Sequence, residues 1–243
     1  MALLPWQTAV ITRVTQETAN TRRFFFEIKD SGPFVFRPGQ FVTLDLPIHD
    51  KQSKRMRSYS VASWPDGSNT FELVIVLMEG GAGTTYLFKE GKPGMEIPFR
   101  GPLGHFCLPD TLERDICMIC TGTGIAPFRS QVQYIRHAQV PCRDIHIIFG
   151  TRKIGDILYR SELEQLSRDM PCLHYHVALS RETPESWNGH IGYVHDIYEK
   201  VCENGQKDMD FYLCGWKNMV DEARNRLKDM GYDKERIHLE LYG

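Results

Sequence analysis

Between residues 116 and 135 the chain passes from an apolar run through a glycine turn into a helical pattern, and few folds accommodate that order. Ile116-Cys117-Met118-Ile119 is apolar throughout, as a strand buried on both faces of a parallel sheet would be. Cys120-Thr121-Gly122-Thr123-Gly124 follows, and Ile125, Phe128, Val132 and Ile135 then recur at helical spacing. Glycine at 122 and 124 lets a phosphate approach the backbone, while N–H groups at a helix start favour the anion. Pro127 suits the opening turn of a helix, where its missing N–H costs little. Gly-x-Gly-x-x-Pro lacks the third glycine of the dinucleotide fingerprint, so the turn needs support from elsewhere in the chain.

That support begins in the residues that follow. Beyond Asp110, strand patterns at 115–120, 144–150, 173–179, 210–214 and 236–241 alternate with helical patterns near 125–139, 158–168, 193–203 and 217–230. Regular βα alternation predicts a doubly wound parallel sheet that binds its ligand outside the carboxyl ends of the strands. Each strand end carries a candidate: Thr121, Gly122, Gly124 and Pro127 at the first, Thr151 and Arg152 at the second, Ser180 and Arg181 at the third. A hydroxyl beside an arginine suits the 2′-phosphate of NADP, whereas an NAD site usually offers a carboxylate to the ribose. That pair favours NADPH, but Glu182 would oppose a phosphate and keeps NADH close behind.

The first half has another texture. Short strand patterns at 10–14, 21–28, 40–46, 58–62, 71–78 and 96–99 are punctuated by Arg37-Pro38-Gly39, Pro65-Asp66-Gly67 and Lys92-Pro93-Gly94. Strands at this spacing with little helix predict an antiparallel β-barrel over 1–109, followed by the α/β unit over 110–243. Within the barrel, Arg57, Tyr59 and Val61 alternate with Ser58, Ser60 and Ala62. Farther on, Gly80-Gly81-Ala82-Gly83-Thr84-Thr85 sets glycines and hydroxyls before a helix start, a second arrangement that suits a phosphate.

Composition excludes several classes. A formal charge of −2 over 243 residues argues against a nucleic-acid or anionic-membrane partner. Neither a signal peptide nor an apolar run of membrane-spanning length is present, and the cysteine number is odd without framework spacing, so a reduced, cytoplasmic chain is expected. Cys117 and Cys120 point to opposite faces of their strand and should not share a metal. His174 and His176 do share a face, but no third ligand is in view, so no metal is expected. An iron–sulfur run of the Cys-x4-Cys-x2-Cys type is absent.

Arg57-x-Tyr59-Ser60, the Gly80–Thr85 turn, Gly101-Pro102-x-Gly104-x-Phe106 and Gly122-Thr123-Gly124-Ile125-Ala126-Pro127 occur in the order of the ferredoxin–NADP reductase family. The resemblance spans nearly the whole chain. It implies that the barrel binds a flavin, FAD rather than FMN, with Arg57 on the pyrophosphate, Tyr59 against the isoalloxazine and ribityl portion, and Ser60 near N5. Cys214-Gly215-Trp216-x-x-Met219 is close to the family's Cys-Gly-x-x-x-Met and implies that Cys214 helps align the nicotinamide. Glu240 and Tyr242 resemble the Glu-x-Tyr ending of the plant-type members, where the ring stacks on the flavin and the carboxylate assists proton and electron movement; Gly243 is an addition. Ser180-Arg181 resembles the plant-type NADP pair, although the lysine and tyrosine that follow there are missing.

The implied activity is hydride transfer between NAD(P)H and FAD, then single-electron transfer to a carrier such as ferredoxin or flavodoxin. Lys51, Lys54 and Arg55 could meet an acidic carrier or form an ordinary solvated loop. The alternatives are a reductase component of an oxygenase, and a non-catalytic flavin-binding subunit.

Overall fold

Alternating patterns in the first half and continuous apolar runs in the second build two sheets of different kind. The computed structural model describes residues 4–29 and 31–242, so Gly243 of the tail motif and Met1 to Leu3 lie outside the described residues. The first sheet holds β1 (Gln7–Thr18), β2 (Thr21–Ile28), β3 (Phe41–Asp45), β4 (Met56–Ser60), β5 (Thr70–Val76) and β6 (Glu96–Leu103), with helix α1 (Ala82–Glu90) after β5. Its antiparallel order is β4-β3-β6-β1-β2-β5. The two end strands approach where the Ala62 N–H donates to the Glu72 carbonyl at 2.8 Å, which draws the sheet into the expected barrel form. Phe24, Phe26, Phe71 and Phe99 fill its interior.

One strand differs from expectation in a way that matters. The pattern at 58–62 suggested a single strand, but β4 starts at Met56 and its ladder with β3 ends at the pair Phe41–Ser60. Val61 and Ala62 lie past the end, where the chain turns from β3 toward β5. Val61 enters the barrel core, against which Tyr59 also packs, while Ala62 joins the core of the second half, so the alternation of faces continues although the ladder with β3 ends at Ser60. Backbone partners on two different strands decide this, and local periodicity cannot report them.

The second sheet is wholly parallel, in the order β10-β9-β8-β7-β11-β12. It comprises β7 (Asp115–Thr121), β8 (Ile145–Thr151), β9 (Leu173–Leu179), β10 (His190–Ile191), β11 (Met209–Trp216) and β12 (Ile237–Tyr242). Helices α2 (Ile125–His137) and α3 (Arg160–Asp169) cover one face, and α4 (His195–Val201) and α5 (Lys217–Asp229) the other. Cys120 packs on the α2 face and Cys117 on the α5 face, as their spacing predicts. The two-residue β10 is too short to carry a period and has no counterpart among the strand patterns of the sequence.

Helix α2 joins the halves through polar groups. Arg129 Nη1 donates to the Ala62 carbonyl at 2.8 Å, Ser130 Oγ to Ser63 at 2.5 Å and Gln131 Nε2 to Phe106 at 2.9 Å. These side chains are nearly inaccessible, so each bond satisfies a group whose burial alone would be costly. Trp64 stacks on His137 at 4.6 Å beside them. The barrel is thereby seated against the carboxyl end of β7.

Candidate active site

Strand order reverses between β7 and β11, and such switch points leave a crevice at the carboxyl ends of the strands. The barrel closes the other side of that crevice. The result is a cleft of about 830 Å³ lined by Arg57, Tyr59, Gly83, Thr121, Trp216 and Tyr242 among others.

Three residues named from sequence meet there across the two halves. Parallel pairing sets Cys214 beside Glu240 and Trp216 beside Tyr242, so the last strand aims the Glu240 and Tyr242 side chains at the barrel. The Tyr242 hydroxyl donates to Ser60 Oγ at 2.7 Å, and Ser60 Oγ donates to Glu240 Oε1 at 2.7 Å. Burial raises the Glu240 carboxyl above its ordinary value, opposed by the Ser60 hydrogen bond. A carboxyl in that setting, joined to a hydroxyl chain, can hold or release a proton at the cleft wall. Cys214 lies against Tyr242 and is fully buried. Burial, with the charge of Glu240 adding to it, pushes its thiol well up, so it stays protonated and acts as a packing surface rather than a nucleophile.

The barrel side fits a flavin nucleotide. Arg57 Nη1 donates to the carbonyls of Lys54 and Met56 at 3.0 and 2.7 Å, which fixes the guanidinium; its other N–H groups make no hydrogen bond to the described residues. It lies on the first turn of α1, where a Cβ on Gly83 would stand 2.8 Å from Arg57 Cγ, so only glycine admits the arginine at this distance. Orphan N–H groups of a helix start and a forked cation thus converge, which is the donor set a pyrophosphate takes. Tyr59 lines the same wall, and burial pushes its phenol up to about 12 with Arg57 pulling the other way.

Several expected cofactor residues take other positions. The Thr84 hydroxyl donates to the Gly81 carbonyl at 3.2 Å and accepts from the Met78 N–H at 3.1 Å, so it braces its own turn. Thr85, expected at the same phosphate site, is exposed on the far side of α1 with Tyr86 and Lys89, because the next helical residue is rotated by about 100°. Gly122 sits beside the Trp216 indole with φ of +55°. Gly124 lies under the crossing strand: a Cβ there would be 2.3 Å from the Cys214 carbonyl oxygen. Pro127 is buried in the first turn of α2 and does not line the cleft. Thr121 does, and its hydroxyl accepts the Trp216 N–H at 3.2 Å.

A second group forms beyond β8 and β9. The Ser180 N–H donates to the Thr151 carbonyl at 3.0 Å and the Arg181 N–H to Arg152 at 2.9 Å, which sets the two arginines side by side. Both are exposed, and neither side chain is paired among the described residues. Glu182 is held by the Ile154 N–H and the Ser186 hydroxyl, each at 2.9 Å, and those bonds keep its carboxyl below the usual range.

Sequence reasoning missed Trp216, whose large ring is 47% exposed at the cleft mouth. Its place just past a buried strand end was the available signal. It also missed Glu72, Tyr159 and Glu162, which surround Arg129 behind Ala62; that cluster has no local motif.

With this geometry in place, comparison with known proteins defines the class. Residues 8–107 match the oxidoreductase FAD-binding domain family and residues 118–225 the oxidoreductase NAD-binding domain family, so the chain is an FAD-dependent NAD(P)H oxidoreductase. It is 35% identical over 227 residues to ferredoxin–NADP reductase B of Sorangium cellulosum, with 91% of each chain covered. The chain belongs to the ferredoxin–NADP reductase family. It is also 29% identical to the glycine betaine monooxygenase reductase subunit of Pseudomonas aeruginosa, covering 95% of this chain and 63% of that protein. Among solved structures it resembles a cytochrome P450 reductase of Amycolatopsis, with a TM-score of 0.86 and 26% identity over 98% of this chain and 70% of that one. The fold is shared as well with a ferredoxin NADP+ reductase of Neisseria gonorrhoeae carrying FAD and NADP, with a TM-score of 0.78, 24% identity and 99% of both chains covered. No helix among the described residues is long and apolar enough to cross a membrane.

Proposed function

We propose that this protein moves electrons between NADPH and a one-electron carrier protein, ferredoxin or flavodoxin, with residues 1–109 holding FAD and 110–243 holding the nicotinamide nucleotide. The observation that carries the reading is the hydrogen-bonded series from Tyr242 through Ser60 to Glu240, which links the two halves inside one cleft. FAD supplies a ring that takes two electrons as hydride and gives them up singly. The protein's part is binding, alignment and proton handling. Arg57 and the α1 start hold the pyrophosphate, and Tyr59 walls the ring. Ser60 and Glu240 would hold and pass a proton beside the flavin ring, and Tyr242, resting on Cys214, would stand where a nicotinamide would have to stack. Aromatic stacking is worth about 0.5–1.5 kcal/mol beyond area burial, small enough for one ring to yield to another.

The unpaired Arg152 and Arg181 favour NADPH over NADH through its 2′-phosphate, against the standing charge of Glu182. The carrier is acidic in this reading. Lys51 and Lys54 are exposed beside β4, whereas Arg55 is neutralised by Asp45 at 2.7 Å. Free thiols at every cysteine suit a reducing cytoplasm.

Anaerobic stopped-flow absorbance tests the reading. The FAD-loaded protein should bleach with NADPH faster than with NADH, and recover its yellow colour on mixing with oxidised ferredoxin or flavodoxin. A preparation that neither carries nor accepts FAD sinks the proposal, as does reduced protein that neither carrier reoxidises.

A further inference from the structure

At the amino ends of β8 and β9, opposite the cleft, three imidazoles and a carboxylate gather. Seven residues at about 3.3 Å each separate the two ends of such a strand, so this cluster lies on the order of 20 Å from the cleft. Parallel register pairs His146 with His174 and Ile148 with His176. Residues two apart share a face, so the β8 histidine stands between the two on β9, and Asp144 arrives on the same face just before β8 begins. The third ligand that His174 and His176 lacked in sequence is therefore supplied by a neighbouring strand.

We infer that Asp144, His146 and His174, with His176 beside them, form a binding site for a divalent transition-metal ion of the zinc or copper type. One ligand atom from each of Asp144, His146 and His174 lies within 4.8 Å of the others. His174 Nε2 is 3.1 Å from Asp144 Oδ1, and His146 Nδ1 is 3.3 Å from His176 Nε2. Ligands about 2.0–2.1 Å from a tetrahedral ion stand roughly 3.3 Å apart, close to the spacing of His174 Nε2 and Asp144 Oδ1, and His146, whose Nδ1 faces His176, has its Nε2 left to offer to the ion. His146 is only 9% exposed, and its Nε2 is buried with no hydrogen-bond partner. A buried imidazole nitrogen left unpaired beside two more imidazoles and a carboxylate is a donor set without an acceptor, and imidazole with carboxylate suits zinc and copper over magnesium or calcium. Asp144 and His174 are half-exposed, which leaves an entry path. The ion would clamp the start of β8 to β9 and take no part in electron transfer.

Tag-free, FAD-loaded protein should be titrated with Zn²⁺ against a chromophoric chelator, and with Co²⁺ to read visible absorption bands. One saturable equivalent is expected, with the intense Co²⁺ bands of a four-coordinate site. His174→Ala and Asp144→Asn, both at half-exposed positions, should each weaken binding about ten-fold or more while NADPH bleaching keeps its rate. Absence of a saturable equivalent, or equal affinity in wild type and both variants, would reduce the cluster to an adventitious ion only and overturn the inference.

Discussion

Replacing Glu72 by glutamine would isolate the ion cluster that joins the two halves. Glu72 is 4% exposed and accepts from Arg23 at 2.7 and 3.0 Å, from Arg129 at 3.1 Å and from the Tyr159 hydroxyl at 2.7 Å. Burial alone would raise the carboxyl, but the Arg23 hydrogen bond and the charges of Arg129 and Arg23 outweigh it and hold it below its ordinary value. Removing one member of a buried charge pair costs about 3–5 kcal/mol, because the partner stays behind uncompensated. Here the lower end applies. Arg129 keeps Glu162 at 2.7 and 3.0 Å, and Arg23, whose side chain is 23% exposed, keeps Glu17 at 3.7 Å. About 3 kcal/mol in a chain of this length corresponds to a fall in Tm of roughly 6–12 °C.

The pH dependence has a definite sign. A carboxyl whose folded pKa is depressed contributes stability that is complete above its unfolded value of ~4.3 and is lost as pH falls through the folded value. Glu72→Gln abolishes that titration, so the gap between wild type and variant should be widest at neutral pH and narrow in acid. Thermal melts followed by circular dichroism, with flavin fluorescence for release of the cofactor, measure both quantities. If the variant melted with the wild type at neutral pH, the cluster would be shown to contribute nothing to holding the halves together.

Three further perturbations address the cleft. Arg57→Ala removes a charged donor to phosphate worth about 1.5–3 kcal/mol and should weaken FAD binding roughly 10- to 150-fold by fluorescence titration; an unchanged Kd would take the pyrophosphate away from Arg57. Arg181→Ala should raise the KM for NADPH much more than that for NADH, and equal changes would remove the 2′-phosphate assignment. Tyr242→Ser should tighten binding of oxidised nicotinamide nucleotide, seen by difference absorbance, because the position the ring holds becomes vacant; unaltered affinity would place the ring outside the exchange.

Local pattern carried far in this chain. β2 and β9 run over the residues their periodicity marked, and the remaining long strands of the second sheet lie within a residue or two of expectation. The order of glycine turns was enough to suggest the family, because a turn that admits a phosphate must be written in adjacent residues. Glu240 and Tyr242 could be placed on one side of the last strand for the same reason.

Tertiary structure decided whatever depends on residues far apart in sequence. That Ser60 touches Glu240 and Tyr242 follows from contacts across 180 and 182 positions, which strand pairing and domain packing alone create. Nothing in the local sequence of α2 names the partners of its polar residues, and it is the carbonyls of Ala62, Ser63 and Phe106 that draw Arg129, Ser130 and Gln131 out of water. Thr85 is turned from the cleft by one residue of helical rotation, and His146 meets His174 only because parallel register sets them side by side. Periodicity reports the face on which a side chain stands; the partner it finds there is set by how the sheets and helices pack.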